Sequence, residues 1–223
     1  MKAGLICFIA LALSAASAFA QGRTIHGVVR VPPESSEGSR APNPYPGRAS
    51  SLQQRQLAER GSVTDAVVYV EAIPAPFDSS LTATRGVPSM EQRDQAFQPR
   101  VLAVVRGETV SFPNRDPIFH NVFSVSPVKR FDLGRYVRGK SKSVTFSKAG
   151  LVNVYCDIHS DMAGFILVVP NRAFAQPDKT GKYSLPPLPP GQYTLVAWHP
   201  DLKTIRRSVQ VSDSADVALD LGF

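Results

Sequence analysis

Short runs of β-branched and apolar residues, broken every few positions by glycine, proline, asparagine or aspartate, are what most constrain the fold of this chain. Residues 24–31 (TIHGVVRV) stop at Pro32-Pro33, and residues 66–73 (AVVYVEAI) stop at Pro74. After residue 90 the rhythm tightens. Segments 101–105, 109–112, 121–125, 142–146, 151–155 and 165–169 read as strands, with Gly107, Gly134, Gly139 and Gly150 serving the turns between them. The last fifty residues carry the same signal at 182–185, 191–199, 204–211 and 216–221. No helical period is sustained. One short helical turn is expected at 52–59 within a loop over 32–62, and residues 74–88 read as irregular. Hydrophobic residues make up 43% of the 223, enough to build cores, so the expected class is all-β, a β-sandwich.

The N-terminus reads as a cleavable export signal. Lys2 supplies a positive start, residues 5–13 are apolar, and Ala18-Phe19-Ala20 is a small-x-small site before Gln21. The apolar run is too short to favour an uncleaved membrane anchor. The expected location is therefore periplasmic or secreted. Removal of residues 1–20 takes away one base and no acid, so the formal charge of +7 becomes +6.

It also takes away Cys7, one of the two cysteines, and leaves Cys156 alone. Two sulfurs exclude a disulfide scaffold, a zinc ribbon and a Cys-ligated iron–sulfur cluster. A single cysteine in an oxidising compartment is a liability unless buried or ligated. Its neighbours point to ligation: Cys156-x-x-His159-x-x-Met162 places three metal-ligand types within seven residues, and His120 lies upstream near a strand start. A thiolate, two imidazoles and a thioether suit copper, whereas zinc has little use for the thioether. Taken singly, each residue is better explained by packing or ordinary hydrogen bonding; the case for ligation is the conjunction. His26 and His199 lack ligand-type neighbours in sequence and are expected to be hydrogen-bonded core or surface groups. With no further histidine, a multicopper oxidase or copper nitrite reductase is disfavoured.

The segments Gly107-Glu108-Thr109-Val110-Ser111-Phe112-Pro113-Asn114, Phe119-His120-Asn121-Val122-Phe123 and Tyr155-Cys156-Asp157-Ile158-His159-Ser160-Asp161-Met162-Ala163-Gly164 resemble cupredoxins, most nearly the plastocyanin and amicyanin group. The resemblance covers roughly residues 86–170. It implies a Greek-key β-sandwich holding one type 1 copper per chain, with His120, Cys156 and His159 in the equatorial plane, Met162 axial, and Asn121 steadying the ligand loops. It also implies an electron carrier, not an enzyme, that passes electrons through the exposed edge of His159.

The flanks resemble a second family. Residues 178–185 (DKTGKYSL) and 188–195 (LPPGQYTL) are similar to carboxypeptidase regulatory-like, transthyretin-like domains. The opening strands of that family have counterparts far upstream, in Gly27-Val28-Val29 and Ala66-Val67-Val68-Tyr69-Val70. The expected organisation is a signal at 1–20, outer-sandwich strands and loop at 24–85, the copper domain at 86–170, and the remaining outer strands at 171–223. The alternative is that residues 24–73 simply add strands to the copper domain.

Positive charge gathers at Lys129, Arg130, Arg135, Arg138, Lys140, Lys142 and Lys148, against Asp132 alone. This stretch reads either as a solvated face or as a steering surface for an acidic redox partner or a membrane surface. A c-type cytochrome or an oxidoreductase fits the electron-carrier expectation; nucleic acid does not. Pro117, Ile118, Phe119, Met162 and Ala163 are expected to form an apolar rim around the ligands. Two other readings stay open: a copper-sequestering envelope protein without electron transfer, and an envelope binding module whose copper domain is structural.

Overall fold

A computed structural model describes residues 22–32, 61–81 and 86–223. The export signal, the turn expected at 52–59 and most of the 32–62 loop lie outside the described residues. The described strands, in chain order, are β1 (Ile25–Arg30), β2 (Val67–Val70), β3 (Glu91–Arg93), β4 (Ala96–Gln98), β5 (Val101–Val105), β6 (Thr109–Pro113), β7 (His120–Ser126), β8 (Lys129–Tyr136) and β9 (Ser141–Thr145). They continue as β10 (Gly150–Tyr155), β11 (Ala163–Val169), β12 (Phe174–Ala175), β13 (Lys182–Ser184), β14 (Gly191–His199), β15 (Leu202–Val211), β16 (Val217–Ala218) and β17 (Leu221–Gly222). A 3₁₀ turn, Val63–Asp65, precedes β2, and a helix α1 spans Ala75–Ser80. The class is all-β, as expected.

The strands form layers, and the side-chain alternation of each strand shows which layer it faces. At one end, β1 pairs antiparallel with β13 and parallel with β16 and β17. The next sheet runs β12-β2-β14-β15. Between them lies a core that includes Ile25, Val29, Val68, Val70, Leu185, Leu195 and Leu221. A five-stranded sheet follows, β5-β11-β10-β7-β8, and then the β6–β9 ladder with the β3–β4 hairpin. Val104, Val110, Phe112, Val122, Val144, Val152, Ile166 and Val168 fill the core between those layers.

The strands from the two ends of the chain therefore pair with each other. β1 aligns His26 with Ser184, and β2 aligns Val68 with Ala197. They do not extend the five-stranded sheet. Close approach is built into β1: a Cβ on Gly27 would lie 2.0 Å from the Leu219 carbonyl oxygen, so only glycine permits that packing.

The two middle sheets also face each other. Val67 and Tyr69 of β2 point away from Val68 and Val70 and meet Val101, Ala103 and Val105 of β5 and Leu167 and Val169 of β11. Trp198 packs edge-on to Phe165 across this seam, with centroids 6.4 Å apart. Burial on both faces explains why β2 reads as a continuous apolar run rather than an alternating one. Each fully buried valine here is worth about 1.5–3 kcal/mol over an exposed one.

Arg100 fastens the same seam. Its guanidinium forks onto Asp201 at 3.0 and 3.1 Å, also bonds Asp65, and lies 5.1 Å over the Phe165 ring.

Several expectations need correction. Residues 74–88, read as irregular, contain α1, whose Phe77 packs on the outer core. The single strand expected at 216–221 is two short ones, because the Asp220 carboxylate, in place of a backbone carbonyl, accepts the Val28 N–H at 2.9 Å. The basic stretch holds an unanticipated strand, β8, at the edge of the five-stranded sheet. The β3–β4 hairpin and β12 were not anticipated either. Both are too short, at two or three residues per strand, to show a period.

Candidate metal centre

β10 ends at Tyr155 and β11 begins at Ala163, so residues 156–162 must reverse the chain between paired strands. The reversal is tight: the Cys156 N–H donates to the Met162 carbonyl at 3.3 Å, and the Met162 N–H to the His159 carbonyl at 3.0 Å. β7 lies beside β10, and its first residue, His120, pairs with Tyr136 of β8. A strand start and a hairpin loop from adjacent strands thus meet at one end of the sandwich.

They bring His120, Cys156 and His159 together, with one ligand atom from each within 4.8 Å of the others. The Cys156 Sγ stands 3.9 Å from the Nδ1 of His120 and 3.7 Å from the Nδ1 of His159. The two imidazoles tilt toward each other with centroids 4.8 Å apart. Donors held at metal–nitrogen and metal–sulfur lengths of about 2.0 and 2.3 Å and spread at 120° stand about 3.7 Å apart. The spacing of these three side chains therefore fits an ion shared between them.

Met162 is buried at 1% exposure in the same core as Cys156. That burial removes it from the apolar rim. The other expected rim residues, Pro117, Ile118, Phe119 and Ala163, are exposed, and Ile158 is exposed with them. His120 is fully buried and His159 half-buried, so His159 is the imidazole with an edge toward solvent.

Polarity around the sulfur favours a thiolate. Burial pushes the Cys156 thiol up. Hydrogen bonds from His120, the amide N–H groups of Asn121 and Ile158, and His159 outweigh it and bring the thiol down to about 6. Asn121 contributes through its backbone N–H, 3.5 Å from Sγ. Its side-chain amide instead donates to Asp132 on β8 at 2.7 Å.

One residue was missed from sequence. The Asp116 carboxylate, 6% exposed, accepts from the Nε2–H of His120 at 2.7 Å. It also accepts the N–H groups of Asp94 and Gln95 at 2.7 and 2.8 Å. Burial pushes its pKa up, but these bonds outweigh burial and hold it below the ordinary carboxylate range. An aspartate four residues before a histidine in a loop follows no spacing rule, so nothing in the sequence singled it out.

His26 and His199 stay away from this cluster. His199 is buried near Asp65 and Asp201, and those three also bring ligand atoms within 4.8 Å of one another. Its ring is committed, however: Nε2 donates to the Ser62 carbonyl at 3.1 Å and Nδ1 accepts the Asp201 N–H at 3.2 Å. The basic residues are partly engaged. Arg135 pairs with Asp157 at 3.0 Å, beside the ligand loop, and Lys142 reaches the Leu133 carbonyl and lies over the Tyr136 ring.

No protein-family profile matches the chain, and no curated protein is significantly similar to it. Among solved structures it is similar to a purple cupredoxin from Nitrosopumilus maritimus, at 20% identity over 36% of this chain and 98% of that one, with a TM-score of 0.34. It is similar to the reduced Cu(I) form at pH 4 of a proline-to-glycine mutant of amicyanin, at 24% identity over 47% of this chain and 98% of that one, with a TM-score of 0.36. It is also similar to a copper-containing nitrite reductase from Thermus scotoductus SA-01, at 24% identity over 43% of this chain but 27% of that one, with a TM-score of 0.36. Each match spans less than half of the present chain.

Proposed function

We propose that the protein is an exported type 1 copper protein that carries single electrons between redox partners. The observation that carries this reading is the pair of S···N distances, 3.9 and 3.7 Å, from a lone buried cysteine to two Nδ1 atoms that face it. His120, Cys156 and His159 would hold the ion, with the Met162 thioether as a further, weaker donor. Bound copper supplies a reversible one-electron couple. The chain's own residues supply the rest: the amide N–H groups of Asn121 and Ile158 hold the sulfur, and strand pairing keeps the ligand loop in one conformation. A site that need not rearrange between oxidation states suits electron transfer better than storage.

The half-buried His159 edge, framed by Ile118, Phe119 and Ile158, is the reading's contact surface for a partner such as a c-type cytochrome. The basic residues from Lys129 to Lys148 would steer an acidic partner or an anionic membrane surface toward it. Periplasmic or secreted location rests on the N-terminal signal. The outer strands, on this reading, form the regulatory-like sandwich that the copper unit interrupts.

The test is to load the chain with Cu(II). An intense visible thiolate-to-copper charge-transfer band, reversibly bleached by a one-electron reductant and absent from Cys156→Ser, is expected. A colourless wild-type protein, or colour that survives the substitution, would overturn the reading. Slow or absent exchange with any one-electron partner, despite the band, would favour sequestration.

A further inference from the structure

Two structural elements converge on Asp116 from opposite sides. From one side, residues 94 and 95 form the turn of the β3–β4 hairpin with positive φ at both positions, 55° each, so that both of their N–H groups point at the Asp116 carboxylate. That hairpin cannot drift. Gln92 and Phe97 are buried, and a Cβ on Gly164 of β11 would already lie 3.0 Å from the Phe97 Cβ. From the other side, the Asp116 N–H donates to the Asn114 Oδ1 at 2.9 Å. Asn114, fully buried, is itself held by its side-chain amide on the Ile118 and Tyr136 carbonyls, both at 2.9 Å. A carboxylate with fixed donors on both oxygens has one orientation left, and His120 Nε2 meets it at 2.7 Å.

Resting on the copper reading above, we propose that Asp116 is the positioning residue of the site: it holds His120 by Nε2–H so that Nδ1 is the free donor facing Cys156, and it makes His120 a stronger donor to the more highly charged Cu(II). A carboxylate behind a ligating imidazole selects the tautomer and raises ligand basicity. Its negative charge, partly screened from water, stabilises Cu(II) more than Cu(I) by simple Coulomb attraction. The β3–β4 turn acquires a purpose by the same argument: its two amides keep the carboxylate charged and aimed, although the hairpin supplies no ligand.

The test uses the full chain, as Asp116→Ala and the near-isosteric Asp116→Asn, with two readouts. In metal-free protein, long-range ¹H–¹⁵N correlation should show the His120 Nε2 proton held in a hydrogen bond and slow to exchange in wild type, and exchanging freely with solvent in Asp116→Ala. In copper-loaded protein, Cu(II) affinity should fall about 10–100-fold. Cu(I) affinity should fall less, so the reduction potential rises, by 59 mV for each tenfold difference. The charge-transfer band should remain in both variants. If Asp116→Ala does not fold, Asp116→Asn decides, with a smaller rise of the same sign. A wild-type chain with the band whose folded variants keep both its protected Nε2 proton and its potential overturns this inference alone. A wild-type chain without the band overturns the copper reading and this inference with it.

Discussion

Two clusters of ligand-type side chains lie in the described residues, and they differ in how their donor atoms are aimed and engaged. His120, Cys156 and His159 converge with both Nδ1 atoms toward one sulfur, and nothing cationic stands among them. Asp65, His199 and Asp201 converge as closely, but the Arg100 guanidinium bonds both carboxylates and both His199 nitrogens are spent on backbone groups. The first cluster has its donor atoms aimed at one another around a common point. The second is a closed salt-bridge network whose carboxylates and imidazole are already engaged. Proximity of ligand types is shared; donors converging on one point are not.

The comparison breaks most readily on metal stoichiometry. Titration with Cu(II) should give one ion per chain, undetectable in Cys156→Ser and unchanged in His199→Ala. A second equivalent lost with His199 would erase the distinction between the clusters.

The next largest effect concerns Arg100. Its side chain is 17% exposed and Asp65's 8% exposed, so Arg100→Ala strands a buried carboxylate and should cost about 3 kcal/mol in chemical denaturation. The variant should still take up no second ion by calorimetry, because His199 remains engaged. Zinc uptake by Arg100→Ala would show that the guanidinium alone had kept metal out.

If the chain holds copper as proposed, Met162→Leu should keep it bound and coloured but raise its reduction potential in voltammetry, since a weak thioether donor is removed while the thiolate and both imidazoles remain. Colour loss would make Met162 a structural requirement instead.

The smallest expected effect is on pH dependence. Burial pushes Asp201 up, but its bonds to Arg100 outweigh burial and leave its carboxyl below the ordinary range. A depressed folded pKa contributes stability above the unfolded value and loses it as pH falls through the folded one. Asp201→Asn should therefore be less stable than wild type at neutral pH, and the two denaturation curves should converge below the ordinary carboxylate range. Asp65, raised by burial despite Arg100, has the opposite sign and blunts the wild-type slope.

The ligand motif was legible because its chemistry is local. Cys156, His159 and Met162 sit within seven residues, and a hairpin between two recognisable strands must hold them together. β8 was hidden by its charges, although Phe131 and Leu133 alternate with Arg130 and Asp132 as a half-buried strand should. Its basic residues drew the eye to a surface rather than to a period. Asp116 and Arg100 were illegible for another reason. Asp116 is fixed by the amides of residues 94 and 95, 22 and 21 positions away, and Arg100 by Asp65 and Asp201, 35 and 101 positions away, and no local pattern records such distances.

The sequence by itself determined the all-β class and the ligand-type residues that gather around Cys156, because strand period and residue chemistry are properties of residues in order. Tertiary structure decided the rest. Strands from opposite ends of the chain pair, β2 is buried on both faces, and a carboxylate is fixed behind one imidazole while a guanidinium closes the other cluster. Those outcomes depend on which surfaces exclude water together and which charges meet inside, and only the folded chain brings them into contact.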